Sequence, residues 1–209
     1  MIDDLQLLQM LNARLLHDLA GSVGTVDNCL SLIEANKKTI REEAKALAVD
    51  ESNNLVKKIK FFRGVYGSSD GDDQMSAVYL IKLLKDFLSV NDKLELDLNF
   101  EGGVIYLDSL LAKAALCLTM IITEQMYSNG KITFFYGNDK NNDVIKITSN
   151  SEDFRLNTES FQILSDGKSS QINIRNCREC YINALCSKGG YKISINKKGN
   201  NLECNIFKS

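Results

Sequence analysis

The sequence predicts an α+β protein: an N-terminal antiparallel helical hairpin, then a mixed sheet covered by helices. Three observations carry this. Two long apolar-periodic segments without proline fill residues 1–66. The run Gly67-Ser68-Ser69-Asp70-Gly71-Asp72-Asp73 then punctuates the chain. Beyond it, alternating strand-like runs interleave with helical ones. The predicted divisions are a hairpin over 1–66, a linker over 67–74 and a second domain over 75–209.

The first helix is expected from about Asp3 to Asn36. Leu15, Leu19, Val23, Val26, Leu30 and Ile33 follow steps of three and four, one stripe of an amphipathic helix. His17 is the only histidine in 209 residues, and it lies two positions from both Leu15 and Leu19. At about 100° per residue it points about 200° away from them, to the far side of the helix. Its own face carries Arg14, Gly21, Gly24 and Asn28. Glycine inside a helix costs roughly 1 kcal/mol relative to alanine. Either the helix breaks at these glycines, or they clear space for a partner's backbone to approach the imidazole. The apolar period continuing in phase to Ile33 favours the second.

Lys37-Lys38 suits the negative end of the first helix, and Thr39 with Glu42 reads as a capping box for the second. That helix carries Ala44, Ala48, Ser52, Leu55, Ile59, Phe62 and Tyr66 on one stripe. A short turn between long helices implies an antiparallel pair. Two helices alone cannot cover their apolar stripes. A homodimer, forming a four-helix bundle through 1–66, is the expected cover; the C-terminal half of the same chain is the alternative. Lys57, Lys58, Lys60 and Arg63 form either a solvated basic face or a dock for an acidic partner.

In the second part, helices are expected over about 75–90, 109–127 and 171–187. Strands are expected over 94–100, 131–136 and 144–148, the last two joined as a hairpin. A final hairpin covers 191–196 and 202–207, turning at Lys198-Gly199-Asn200. Net charge is −2, with 44% hydrophobic and 25% charged residues. Those values fit a globular chain and argue against a nucleic-acid partner. No apolar run approaches the ~20 residues a membrane span needs, and Met1-Ile2-Asp3-Asp4 has no signal-peptide core. A cytoplasmic protein is expected. Of six cysteines, Cys177 and Cys180 have metal-ligand spacing, but no second such pair accompanies them. Reduced buried thiols, with no bound metal, are the default expectation.

The series His17-Asp18-Leu19, Val23-Gly24 and Asn28-Cys29-Leu30-Ser31-Leu32 on one helix resembles the histidine box of the ChpT family of histidine phosphotransferases. Those proteins serve alphaproteobacterial phosphorelays. More distantly, the series is similar to the phosphoacceptor hairpin of sensor histidine kinases. Two positions depart from the box: Ser22 stands where a proline is usual, and Gly21 where a small hydroxyl residue is usual. The later element order resembles a histidine-kinase ATPase-like (Bergerat-type) α/β sandwich, in degenerate form. A kinase would carry a magnesium-holding asparagine where this chain reads Thr123-Glu124-Gln125-Met126-Tyr127. It would carry Asp-x-Gly-x-Gly where this chain reads Ser149-Asn150-Ser151-Glu152-Asp153-Phe154. No glycine lies between Gly137 and Gly167 to let backbone close on a nucleotide. Arg155, Lys168 and Arg175 read either as a residual phosphate site or, the better reading, as scattered surface charge. The expectation is a body that binds no ATP.

The resemblance implies a phosphotransferase, not an ATP-dependent kinase. His17 would take a phosphoryl group from the aspartyl phosphate of one receiver domain and pass it to another. Asp18 either fixes the imidazole tautomer or is ordinary helix-surface charge, and Arg14 would meet the phosphoryl group or an acidic receiver residue. Gly21, Gly24 and Asn28 would face the partner. This chain would need no cofactor of its own, since the receiver brings magnesium. A hybrid sensor kinase and response regulators are the implied partners. An unperturbed imidazole is mostly neutral near pH 7 and so nucleophilic. The competing reading is a non-catalytic dimeric adaptor that only binds response regulators.

Overall fold

The computed structural model describes residues 4–33, 37–67, 73–103, 105–139, 142–155, 157–167 and 171–209. The expected helix ends at Asp3 and Asn36, the linker residues Ser68 to Asp72 and Lys168 lie outside the described residues. Helix α1 (Asp4–Ile33) runs unbroken through Gly21 and Gly24. Helix α2 (Lys38–Tyr66) returns beside it. The expected capping box does not form. Lys37 is the N-cap and makes no side-chain cap bond, and Thr39 lies inside the helix.

The buried face of α1 differs from the predicted stripe. Leu7, Leu11, Ser22 and Cys29 are buried, whereas Val23 and Leu30 are more than half exposed. One antiparallel neighbour covers only one side of a wide apolar stripe. The contact with α2 centres on the row through Leu15, Ser22 and Cys29, so the row through Leu16, Val23 and Leu30 stays open. Buried Ser22 is satisfied by Lys58, whose Nζ donates to its Oγ at 2.8 Å. On α2, Ala44, Ala48 and Phe62 are buried as the stripe predicts, but Ser52 and Ile59 are exposed.

Two short strands, β1 (Gln74–Ser76) and β3 (Tyr106–Asp108), pair antiparallel and flank α3 (Ala77–Leu88). The main sheet has β2 (Leu94–Phe100), β4 (Gly130–Asp139), β5 (Asn142–Ser151), β6 (Tyr191–Lys198) and β7 (Asn201–Lys208). Its order is β2-β4-β5-β7-β6, with only β2 and β4 parallel. Alternation sends Ile132, Phe134, Ile145, Ile147, Cys204 and Ile206 into the core. The opposite face is polar and carries cross-strand ion pairs, Lys131 with Asp97 and Lys146 with Glu203.

Helix α4 (Ser109–Glu124) lies in the middle of the molecule and is buried almost all round, as its uniformly apolar sequence requires. Asp108 caps it, accepting from Leu111 N at 2.9 Å. Helices α5 (Thr158–Asp166) and α6 (Cys177–Gly189) complete the layer. The last turns of α2 are part of this core. Phe61 is fully buried and stacks on Phe87 with ring centroids 3.9 Å apart. At Gly64 a Cβ would collide with Leu83, so glycine lets the helix press in. Lys113 Nζ donates to Gly67 O at 2.6 Å, pinning the exit of α2 to α4. The start of α1 is anchored too: Leu7 and Leu11 join a second cluster with Ile163, Ile172, Cys177 and Cys180.

Because Phe61 bridges hairpin and sandwich, Phe61→Ala should cost about 3–5 kcal/mol, read as a lower midpoint in urea unfolding followed by circular dichroism. A loss below 1 kcal/mol would show that the contact contributes little.

Candidate functional site

The His17 side chain is 75% exposed. Around it the predicted face is present: Gly21, Gly24 and Asn28 are exposed, and a Cβ built on either glycine meets nothing within 4 Å. The surface beside the imidazole is therefore flat and open. Arg14 is different. It sits 26% exposed and is committed inward, with Nε 3.3 Å from Asp18 Oδ1 and NH2 donating to Glu124 Oε2 at 3.3 Å.

Asp18 organises the site. Its Oδ1 lies 3.3 Å from His17 Nδ1, and its Oδ2 accepts from Arg178 NH2. Arg178 NH1 donates in turn to Glu124 Oε1. The guanidinium of Arg178, at the start of α6, is thus clamped between a carboxylate on α1 and one at the end of α4. Its side chain is 5% exposed. Burial opposes its charge, but the carboxylates of Glu124 and Asp18 outweigh that and raise its pKa. A carboxylate gripped by two arginines accepts hydrogen bonds and does not donate. The proton of a neutral His17 then belongs on Nδ1, facing Asp18, and the lone pair on Nε2 points to solvent.

Arg178 and Glu124 are the residues that sequence reasoning did not place. Glu124 occupies the turn where the kinase resemblance expected a magnesium-holding asparagine, and here it holds two arginines. Arg178 sat inside the Cys177–Cys180 spacing that reads as a metal motif. Among the described residues, no group of three histidines, cysteines or carboxylates is placed to hold a metal. All six thiols are free and buried, and burial pushes Cys177 up to about 11. The glycine-free segment after β5 is pinned to the end of α4. Tyr127 N donates to Asp153 O, and Arg155 N to Gln125 O. Arg155 is spent on Asp153 through two bonds, at 2.9 and 2.8 Å. Of the basic run on α2, Lys57 and Lys58 bond to Ser89 and Ser22, leaving Lys60 and Arg63 exposed.

No protein-family model and no curated protein sequence matches this chain. Solved structures do. A bacterial phosphotransferase superposes with TM-score 0.85 over 99% of this chain and 98% of its own, at 19% identity. The Acinetobacter baumannii histidine kinase AdeS superposes at TM-score 0.50 over 92% and 97%, at 13% identity. The catalytic domain of histidine kinase ThkA gives 0.51 over 65% of this chain and 94% of its own, at 9% identity. At these identities the likeness concerns the fold. The chain has a helical hairpin joined to a histidine-kinase ATPase-like α+β sandwich.

If Asp18 sets the tautomer, Asp18→Asn should leave the circular dichroism spectrum unchanged. The ring-nitrogen NMR shifts of His17 should move from a single Nδ1–H form to a mixture of tautomers. Unchanged shifts would remove Asp18 from that role.

Proposed function

We propose that this chain is a histidine phosphotransferase of a two-component phosphorelay, with His17 carrying the phosphoryl group. The single observation behind this is the imidazole itself. It stands exposed on a helix face cleared by glycines, with Nδ1 held by a carboxylate that a buried arginine anchors. That arrangement has no use in packing, and a purely adaptor protein would have no chemical reason to hold the ring so.

In the proposed step, His17 Nε2 attacks the phosphorus of an aspartyl phosphate on a receiver domain. A new N–P bond forms, the P–O bond to the aspartate breaks, and the freed carboxylate leaves with its electron pair. The Nδ1 proton stays on the ring against Asp18, stabilising the positive charge that develops there. The reverse step hands the group to a second receiver. Magnesium would arrive with the receiver. Asp18 is the positioning partner of His17, and Gly21, Gly24 and Asn28 are proposed as the docking strip. Arg14 is withdrawn from direct phosphoryl contact by its two carboxylates. The pinned, glycine-free segment after β5 and the spent Glu124 support a body that does not use ATP. Among the described residues no helix is long and apolar enough to cross a membrane; a cytoplasmic setting remains part of the proposal.

The proposal includes a homodimer. Leu16, Val23 and Leu30 recur every seven residues on α1, and all are exposed. By the helical period, Val49, Val56 and Ile59 of α2 lie on the same side of the hairpin, and they too are exposed. This apolar strip faces away from His17. Its heptad spacing suits a second copy packing as a four-helix bundle.

His17→Ala should accept no phosphate from a phosphorylated receiver while keeping the wild-type circular dichroism and mass in solution. Label retained by that variant would falsify the phosphohistidine assignment. Independently, Val23→Glu together with Leu30→Glu should convert the dimer to a monomer in sedimentation equilibrium. A wild-type chain that sediments as a monomer ends the dimer proposal.

A further inference from the structure

Four charged side chains close a ring beside His17. Arg14 lies 3.3 Å from Asp18 Oδ1 and 3.3 Å from Glu124 Oε2. Arg178 meets the other oxygen of each, Asp18 Oδ2 through NH2 and Glu124 Oε1 through NH1. Each arginine therefore bridges both carboxylates, and the charges alternate around the ring with a formal sum of zero. His17 stands outside the ring and meets it at one atom, with Nδ1 3.3 Å from Asp18 Oδ1. Three helices supply the members: α1 gives Arg14 and Asp18, α4 gives Glu124, and α6 gives Arg178.

A carboxylate against an imidazole does two things at once. Its hydrogen bond orients the ring, and its negative charge favours the imidazolium, which has no lone pair to attack phosphorus. A phosphoacceptor needs the first effect without the second. Joining the three helices takes only Arg178 and its two carboxylates, and those three groups carry a surplus negative charge. Arg14 brings no further helix to the joint. What it adds is the charge that brings the sum to zero. The other polar neighbours come from α2 and α6. Tyr66 of α2 brings a buried phenol to Arg178, and Lys58 of α2 is held by Ser22 and Glu51. Glu179 of α6, buried beside Arg178, accepts from Ser160 of α5.

We infer that the ring is a charge-cancelling mount for the phosphoacceptor: Arg14, Glu124 and Arg178 are positioning residues that hold Asp18 against His17 and neutralise it, so the imidazole is oriented without being protonated. The inference rests on the phosphotransfer reading for its purpose, and it explains why the arginine one turn before His17 points inward. The ring predicts opposite effects for its two kinds of member. Losing an arginine leaves a surplus negative charge and stabilises the imidazolium. Losing Glu124 leaves a surplus positive charge and destabilises it. A ring that serves only as a clamp behaves otherwise. Either loss then loosens Asp18, the imidazole loses its carboxylate, and both variants move the same way.

The test uses the full-length chain and follows the His17 ring resonances by NMR as pH is varied, at low ionic strength where screening is weak. Arg14 and Glu124 are 26% and 40% exposed, so Arg14→Gln and Glu124→Gln leave the buried Arg178–Asp18 pair in place, and circular dichroism checks the fold. Arg14→Gln should raise the titration midpoint by about half a pH unit, and Glu124→Gln should lower it by about as much. The variant carrying both substitutions should return to the wild-type midpoint. Shifts of one sign in both single variants, shifts below about 0.2 pH unit, or a double variant that keeps either single shift overturn the inference. The titration needs no receiver domain. It therefore stands or falls apart from the phosphohistidine assignment, which His17→Ala decides.

Discussion

The Arg178 guanidinium clamped between Asp18 and Glu124 is the interaction on which the rest turns. It joins three helices from distant parts of the chain: α1, α4 and α6. Breaking one partner of such a buried pair is expensive, because the orphaned charge keeps its desolvation cost. The network therefore does more than orient one imidazole. It locks the His17 face of the hairpin onto the sandwich, beside the Phe61–Phe87 stack and the Lys113 bond that fix the other helix.

That clamp also sets the character of one end of the sandwich. The end of α4 and the starts of α5 and α6 form the polar end of the sandwich. Here the carboxylate of Glu124 faces arginines, one of them reaching over from the hairpin. The segment after β5 lies flat on the same helix end, held by backbone bonds and by the Asp153–Arg155 pair. This end of the sandwich works as a joint between the helical stem and the body.

Much of this was legible in the sequence, and the failures have physical causes. The position of His17 followed from helical period alone, and the solvent-facing ring agrees. Strands β2, β4, β5, β6 and β7 were readable because alternation is strong when one face is buried and the other solvated. Strands β1 and β3 were not, since three residues carry no periodicity, and α5 was hidden in a short polar stretch. The buried row of α1 was misread by one position. Leucine and valine marked a stripe, but the real contact takes in Ser22 and Cys29, because a lysine on α2 satisfies the serine. Arg178 was out of reach: it lies 160 residues from Asp18, and an arginine between two cysteines suggested a different chemistry.

The burial of every thiol has a practical consequence. Cys29 sits in the hairpin, and the other five cysteines sit in the body that packs against it. A thiol reagent therefore has nothing to modify until part of the chain opens. Labelling at Cys29 would time the parting of the two stem helices, and labelling at Cys117 or Cys204 would time the opening of the sandwich. The molecule carries its own clock for local unfolding, with the two halves read separately.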